Sequence, residues 1–97
     1  MNGTGISEQV IEEIILLAKK HAITKVILFG SRARGDYHRV SDIDLAVYDG
    51  DVVGFALDVE EYTSTLLMYD VVDMNKKHQD SFLKSIVEEG KVLYEKI

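Results

Sequence analysis

Phe29-Gly30-Ser31-Arg32-Ala33-Arg34-Gly35-Asp36-Tyr37-His38-Arg39-Val40-Ser41-Asp42-Ile43-Asp44-Leu45 is the stretch on which the reading of this 97-residue chain turns. It leaves an apolar run, Val26 to Phe29, bends at Gly30 and Ser31, and enters a second apolar run that carries Asp42 and Asp44. All three arginines, Arg32, Arg34 and Arg39, stand between the Gly-Ser turn and the first aspartate, whereas the eight lysines lie elsewhere. Asp42 and Asp44 are two residues apart in a segment of strand character, which predicts both on one face. One loop thus offers phosphate-binding chemistry at its start and metal-binding chemistry at its end.

Working outward, the chain reads as helix, strand, strand, helix, strand, helix, strand. Ser7 is placed to cap a first helix to about His21, with Ile6 and Ile11 as a hydrophobic staple and Val10, Ile11, Ile14, Ile15, Leu17 and Ala18 at helical spacing. Lys25 to Phe29 is a short β-branched strand. Ser31 to Arg34 suits one helical turn whose free amides face whatever lies beyond the strand end. Asp42 to Tyr48 reads as a second strand, closed by Asp49-Gly50, and Asp51 to about Ser64 as a second helix. Met68 to Met74 is a third strand, with Asp70 and Val72 on one face and Tyr69, Val71 and Asp73 on the other. Asp80 is placed to cap a third helix that Gly90 stops, and Lys91 to Tyr94 forms a last strand. This order implies a mixed sheet with helices packed on it, in a single domain over residues 1–97.

Composition narrows the function. The apolar fraction of 46% and charged fraction of 29% are ordinary for a globular protein. No apolar run approaches the ~20 residues of a membrane span, and Met1 to Gly5 lacks a signal-peptide core. With no cysteine there is no disulfide framework or thiolate metal site, which suits the cytoplasm. His21, His38 and His78 have no paired spacing for zinc. The net charge of −6 is uneven: no Lys or Arg lies between Arg39 and Lys76, a span holding nine Asp and Glu residues. That surface should repel nucleic acid unless metal ions intervene. For Asp58, Glu60 and Glu61 a solvated acidic face is the simpler reading, and docking on a basic partner is the alternative.

Carboxylates on buried strands are costly unless paired or bound to a metal, and Asp42, Asp44 and Asp70 have no basic neighbour in sequence. Hard oxygen ligands favour magnesium or manganese together with nucleotide phosphate oxygens. The matching chemistry is phosphoryl or nucleotidyl transfer, with two metal ions about 3.5–4 Å apart and no protein nucleophile. Asp42 as a loop cap and Asp44 as a partner of Lys25 are the structural alternatives. For Arg32 and Arg34, phosphate contact competes with a solvated loop face. Asp73, Tyr37, Tyr48 and Tyr94 read as structural residues.

Phe29-Gly30-Ser31, ten residues, then Asp42-Ile43-Asp44-Leu45 resembles the signature of the DNA polymerase beta-like nucleotidyltransferase superfamily. Gly-Ser-Arg-Ala-Arg-Gly, Ser-Asp-Ile-Asp-Leu, Asp70-Val71-Val72-Asp73 and Glu89-Gly90-Lys91-Val92-Leu93-Tyr94 are similar to the stand-alone minimal nucleotidyltransferases, over about Val26 to Tyr94. The resemblance implies the polymerase beta-like fold of the α/β (α+β) class, a mixed sheet of about four strands with about three helices. It implies Gly30 and Ser31 as the triphosphate-binding turn, Asp42 and Asp44 as paired metal ligands, and Asp70 as the third catalytic carboxylate. It also implies Mg2+ as cofactor, ATP as substrate, and a small helical HEPN-domain protein as partner. In such pairs the minimal nucleotidyltransferase is the antitoxin, and some transfer AMP to a tyrosine of the toxin. Two rival functions are neutralisation by contact without catalysis, and service as the catalytic subunit of a small-molecule nucleotidyltransferase.

Overall fold

The computed structural model describes residues 3–97. The Ser7 hydroxyl accepts from the Val10 amide at 3.2 Å and opens α1 (Glu8–Lys20), satisfying an amide that a helix start leaves free. Val10, Ile11, Ile14 and Ala18 form its buried stripe, and Lys19 and Lys20 fall in its last turn. Then come β1 (Lys25–Phe29), α2 (Gly30–Arg34), β2 (Ile43–Tyr48), α3 (Val52–Tyr62), β3 (Tyr69–Asp73), α4 (Asp80–Glu89) and β4 (Lys91–Glu95). The single turn expected after Gly30 is a short helix, which makes four helices rather than three.

Two local expectations need correction. β2 starts at Ile43, one residue after Asp42, because its ladder with β1 ends at the pair Phe29↔Asp44, where β1 turns away at Gly30. Gln79 rather than Asp80 is the N-cap of α4, and Asp80 sits in the first turn, where its charge suits the helix dipole. Gly90 ends α4 as expected, in an extended conformation, with its amide donating to the Ile86 carbonyl.

The sheet order is β3-β2-β1-β4. β1 is antiparallel to both β2 and β4, and β2 runs parallel to β3 through the α3 crossover. Alternation along the strands separates two faces. Val26, Leu28, Ile43, Leu45 and Val47 join α1 and α3 residues, among them Ile14, Phe55 and Val59, in the larger core. Ile27 and Ala46 face the other way, with Ile86 of α4, and Phe29, Tyr48 and Phe82 pack around them. β3 is an edge strand whose open side is partly occupied: the Tyr69 amide donates to Glu60 Oε1 at 3.2 Å, and His78 Nε2 lies 2.8 Å from the Asp73 carbonyl oxygen.

The end of α1 is fastened to α3 by His21. Its Nε2 is 2.7 Å from Asp58 Oδ2 and its Nδ1 is 3.6 Å from Asp51 Oδ2, while Lys20 Nζ reaches Asp58 at 3.0 Å. The hydrogen bond from His21, followed by that from Lys20, holds the Asp58 carboxyl below its ordinary range. A depressed native value means that this stabilisation is present above the unfolded value and is lost as pH falls through the native one. Wild type should therefore melt above Asp58→Asn at pH 7, and the two midpoints should converge as pH is lowered through and below the ordinary carboxylate range; calorimetry at acid pH checks it.

Candidate active site

Gly30 is the point from which the site is built. Its φ of +74° lies in the left-handed region, which disfavours any residue with a side chain. A Cβ at this position would also overlap the Asp44 carboxylate. The backbone of the turn is thus packed directly against the first strand-borne acid. Ser31 follows in α2, where its carbonyl accepts from the amides of Gly35 and Asp36 at 2.8 and 3.1 Å. These bonds bring the loop back over α2.

Asp44 and Asp70 are register partners on the parallel strands β2 and β3, so their side chains share one face. That is the face on which α4 packs, mainly against β1, leaving the two acids beside it. Asp42 lies just ahead of β2 and is exposed. None of the three carboxylates has an ion-pair or hydrogen-bond partner among the described residues. The Asp44 carboxyl is pushed above its ordinary value, first by burial, then by the negative charges of Asp70 and Asp42, with Arg34 opposing the shift. The described residues hold no ready-made cage of three acidic or histidine ligands. Magnesium needs none: it keeps several waters and takes one or two carboxylates together with substrate phosphates. Unpartnered, mutually repelling oxygen donors fit such a cation.

The arginines divide. Arg32, expected to contact phosphate, is 1% exposed, and each of its three nitrogens donates to a main-chain carbonyl, of Thr4, Arg39 and Ser41. Its planar fork is committed to the protein, so its place as a phosphate ligand is corrected to a structural one. Arg34 is exposed and pairs with Asp36 and Glu89, each at 3.3 Å, which raise its pKa. Lys25, the alternative partner considered for Asp44, pairs instead with Glu95.

The unrelieved charge has a measurable consequence. Because the native Asp44 carboxyl titrates above its unfolded value, its ionised form opposes folding at neutral pH, and this opposition fades as pH falls. Asp44→Asn should raise the thermal midpoint in chelator at pH 7 by about 2–5 °C, a gain that shrinks toward pH 4. Scanning calorimetry of both proteins over that range tests the sign.

Comparison with known proteins agrees with this geometry. The family model described as polymerase beta, nucleotidyltransferase, matches residues 12–97. A Methanocaldococcus jannaschii protein named as a protein adenylyltransferase is 41% identical over 99 residues, covering 90% of this chain and 97% of the relative. Two crystal structures of toxin–antitoxin complexes are also similar. One, described as containing AMP-PNP, superposes with a TM-score of 0.71 at 27% identity over 88% of this chain and 73% of the other. The other, of MntA-HpeT with two aspartates two residues apart replaced by glutamate, gives 0.70 at 25% identity over the same shares, 88% and 73%. Matches of this extent, on a fold with these residues at the Gly30 turn, place the chain in the polymerase beta-type nucleotidyltransferase family, whose chemistry is nucleotidyl transfer.

Proposed function

We propose that this nucleotidyltransferase binds ATP with magnesium and moves AMP onto a tyrosine of a small helical HEPN-domain partner, acting as the antitoxin of a two-protein pair in the cytoplasm. The observation that carries this reading is the trio of carboxylates without internal partners beside the Gly30 turn. A fold keeps repelling, partly buried charge where a ligand is to relieve it. The name of the Methanocaldococcus jannaschii relative and the toxin–antitoxin context of the similar crystal structures support the acceptor class and the partner.

In this reading Gly30 and Ser31 receive the triphosphate, and Arg34 adds a fixed positive charge at the same end. Asp42, Asp44 and Asp70 hold the cations, two in number. Magnesium supplies Lewis-acid polarisation of the phosphate oxygens when bound, and manganese shares its preference for oxygen donors. The tyrosine hydroxyl oxygen attacks the α-phosphorus, and the bond from that phosphorus to the pyrophosphate oxygen breaks. Tyrosine-AMP and pyrophosphate result. Asp70, on the edge strand, takes the phenolic proton.

Intact mass spectrometry tests the reading: a small helical HEPN-domain protein, if one is encoded beside this chain, is incubated with the chain, ATP and magnesium. The expected result is a gain of one or more AMP units. Asp42→Asn with Asp44→Asn should slow that gain by about a thousandfold, the worth of several kcal/mol of lost charge stabilisation. A stable complex with no mass gain would overturn transfer to that partner and favour neutralisation by contact.

A further inference from the structure

The three carboxylates are held in place by different means. Asp44 and Asp70 occupy ladder positions, paired with Phe29 and with each other. Asp42 has no ladder pairing and depends on the loop that precedes it. That loop makes a local turn, with the Ser41 amide donating to the His38 carbonyl at 3.1 Å and the His38 amide to Ser41 Oγ at 2.8 Å. Its tie to the body of the protein is Arg32. Nε donates to the Ser41 carbonyl at 3.0 Å and Nη2 to the Arg39 carbonyl at 3.2 Å, gripping the backbone immediately ahead of Asp42.

The third arm of the fork points elsewhere. Nη1 donates to the Thr4 carbonyl at 2.8 Å, in a segment 28 residues away in sequence, where Thr4 itself is fully buried. The Tyr37 ring covers the guanidinium, 4.7 Å from its central carbon. Gly5 abuts both groups: a Cβ there would lie 2.6 Å from the Tyr37 ring and 2.7 Å from Nη1, and its φ is +69°. A buried cation with no carboxylate partner is costly unless its donors are filled. Here each of the three nitrogens has a carbonyl, and arginine cannot shed its charge. Only a planar, always-charged fork bridges three carbonyls in this way.

We propose that Arg32 is a positioning residue: it sets Asp42 relative to Asp44 and Asp70, and Thr4–Ile6 form the outer wall of its bracket. The N-terminal segment is thus part of the active-site construction. This inference rests on the reading of Asp42 as a cation ligand.

The test titrates the full-length chain with Mn2+ alone, following free Mn2+ by electron paramagnetic resonance, and measures amide hydrogen exchange in residues 36–43. Arg32→Lys keeps the charge and loses the fork; Gly5→Ala disturbs the bracket where Tyr37 and Nη1 meet. Each should weaken Mn2+ binding by about tenfold, as loss of an outer-shell partner does, and speed exchange in the loop while leaving β2 and β3 protected. In an Asp42→Asn background Arg32→Lys should weaken binding no further, because its effect acts through Asp42. An equal loss in both backgrounds, or unchanged binding and exchange in Arg32→Lys, would overturn the proposal. Failure of wild type to bind Mn2+ would overturn the cation-ligand reading and, with it, the assignment of Arg32 to a metal site. The loop exchange would then separately show whether Arg32 orders the loop.

Discussion

Burial of Ile43, Leu45 and Val47 against Val26 and Leu28 fixes β2 in one register, and the candidate site depends on it. A slip of one residue would turn Asp44 into the larger core and expose its neighbours. Each of those apolar side chains is worth about 1.5–3 kcal/mol when fully buried, so the slip is prohibited several times over. With β2 locked, Phe29 lies opposite Asp44, Asp70 is its partner on β3, and the turn after Phe29 must fit against the acid. Gly30 is the residue that fits, since any side chain would meet that carboxylate. Core packing on one face of the sheet thus dictates the chemistry on the other.

The division of labour between faces also explains how the protein tolerates its site. The larger cluster draws on α1, α3 and the sheet, whereas the face bearing Asp44 and Asp70 is covered by α4 with only Ile27, Ala46 and Ile86 deeply buried. Stability is concentrated where no chemistry is needed. The lightly covered face carries carboxylates whose repulsion the rest of the fold offsets, a separation that lets a site remain strained without loosening the whole.

Much of this was legible in the sequence because the signals were periodic or compositional. The apolar stripe of α1, the alternation along β2 and the Gly-Ser turn followed by paired aspartates all state local physics that the structure keeps. What escaped depends on contacts between distant segments. Arg32 and Arg34 are indistinguishable in a loop that reads as solvated and phosphate-seeking. Only folding shows that one faces inward to Thr4 and the other outward to Glu89. The run of three arginines gave no sign of this, although the buried Ala33 beside Arg32 is what an inward-facing pair on a short helix looks like. His21 reads as a basic helix end, and its clasp on Asp58 appears only once α3 returns alongside. Asp42 looked like a strand residue because alternation does not reveal where a ladder partner runs out.

The edge of β3 has a bearing on how the protein survives at high concentration. An open edge strand invites a neighbouring chain to add its own strand, the first step of aggregation. Here the Glu60 carboxylate takes up the Tyr69 amide at one end and His78 meets the Asp73 carbonyl at the other, so both ends of the edge are taken and the open stretch between them is short. Asp70 lies on that strand, exposed, next to the Tyr69 amide that Glu60 takes up. Under the proposed function, an acid that has to meet the acceptor is thereby harder for another copy of the chain to cover.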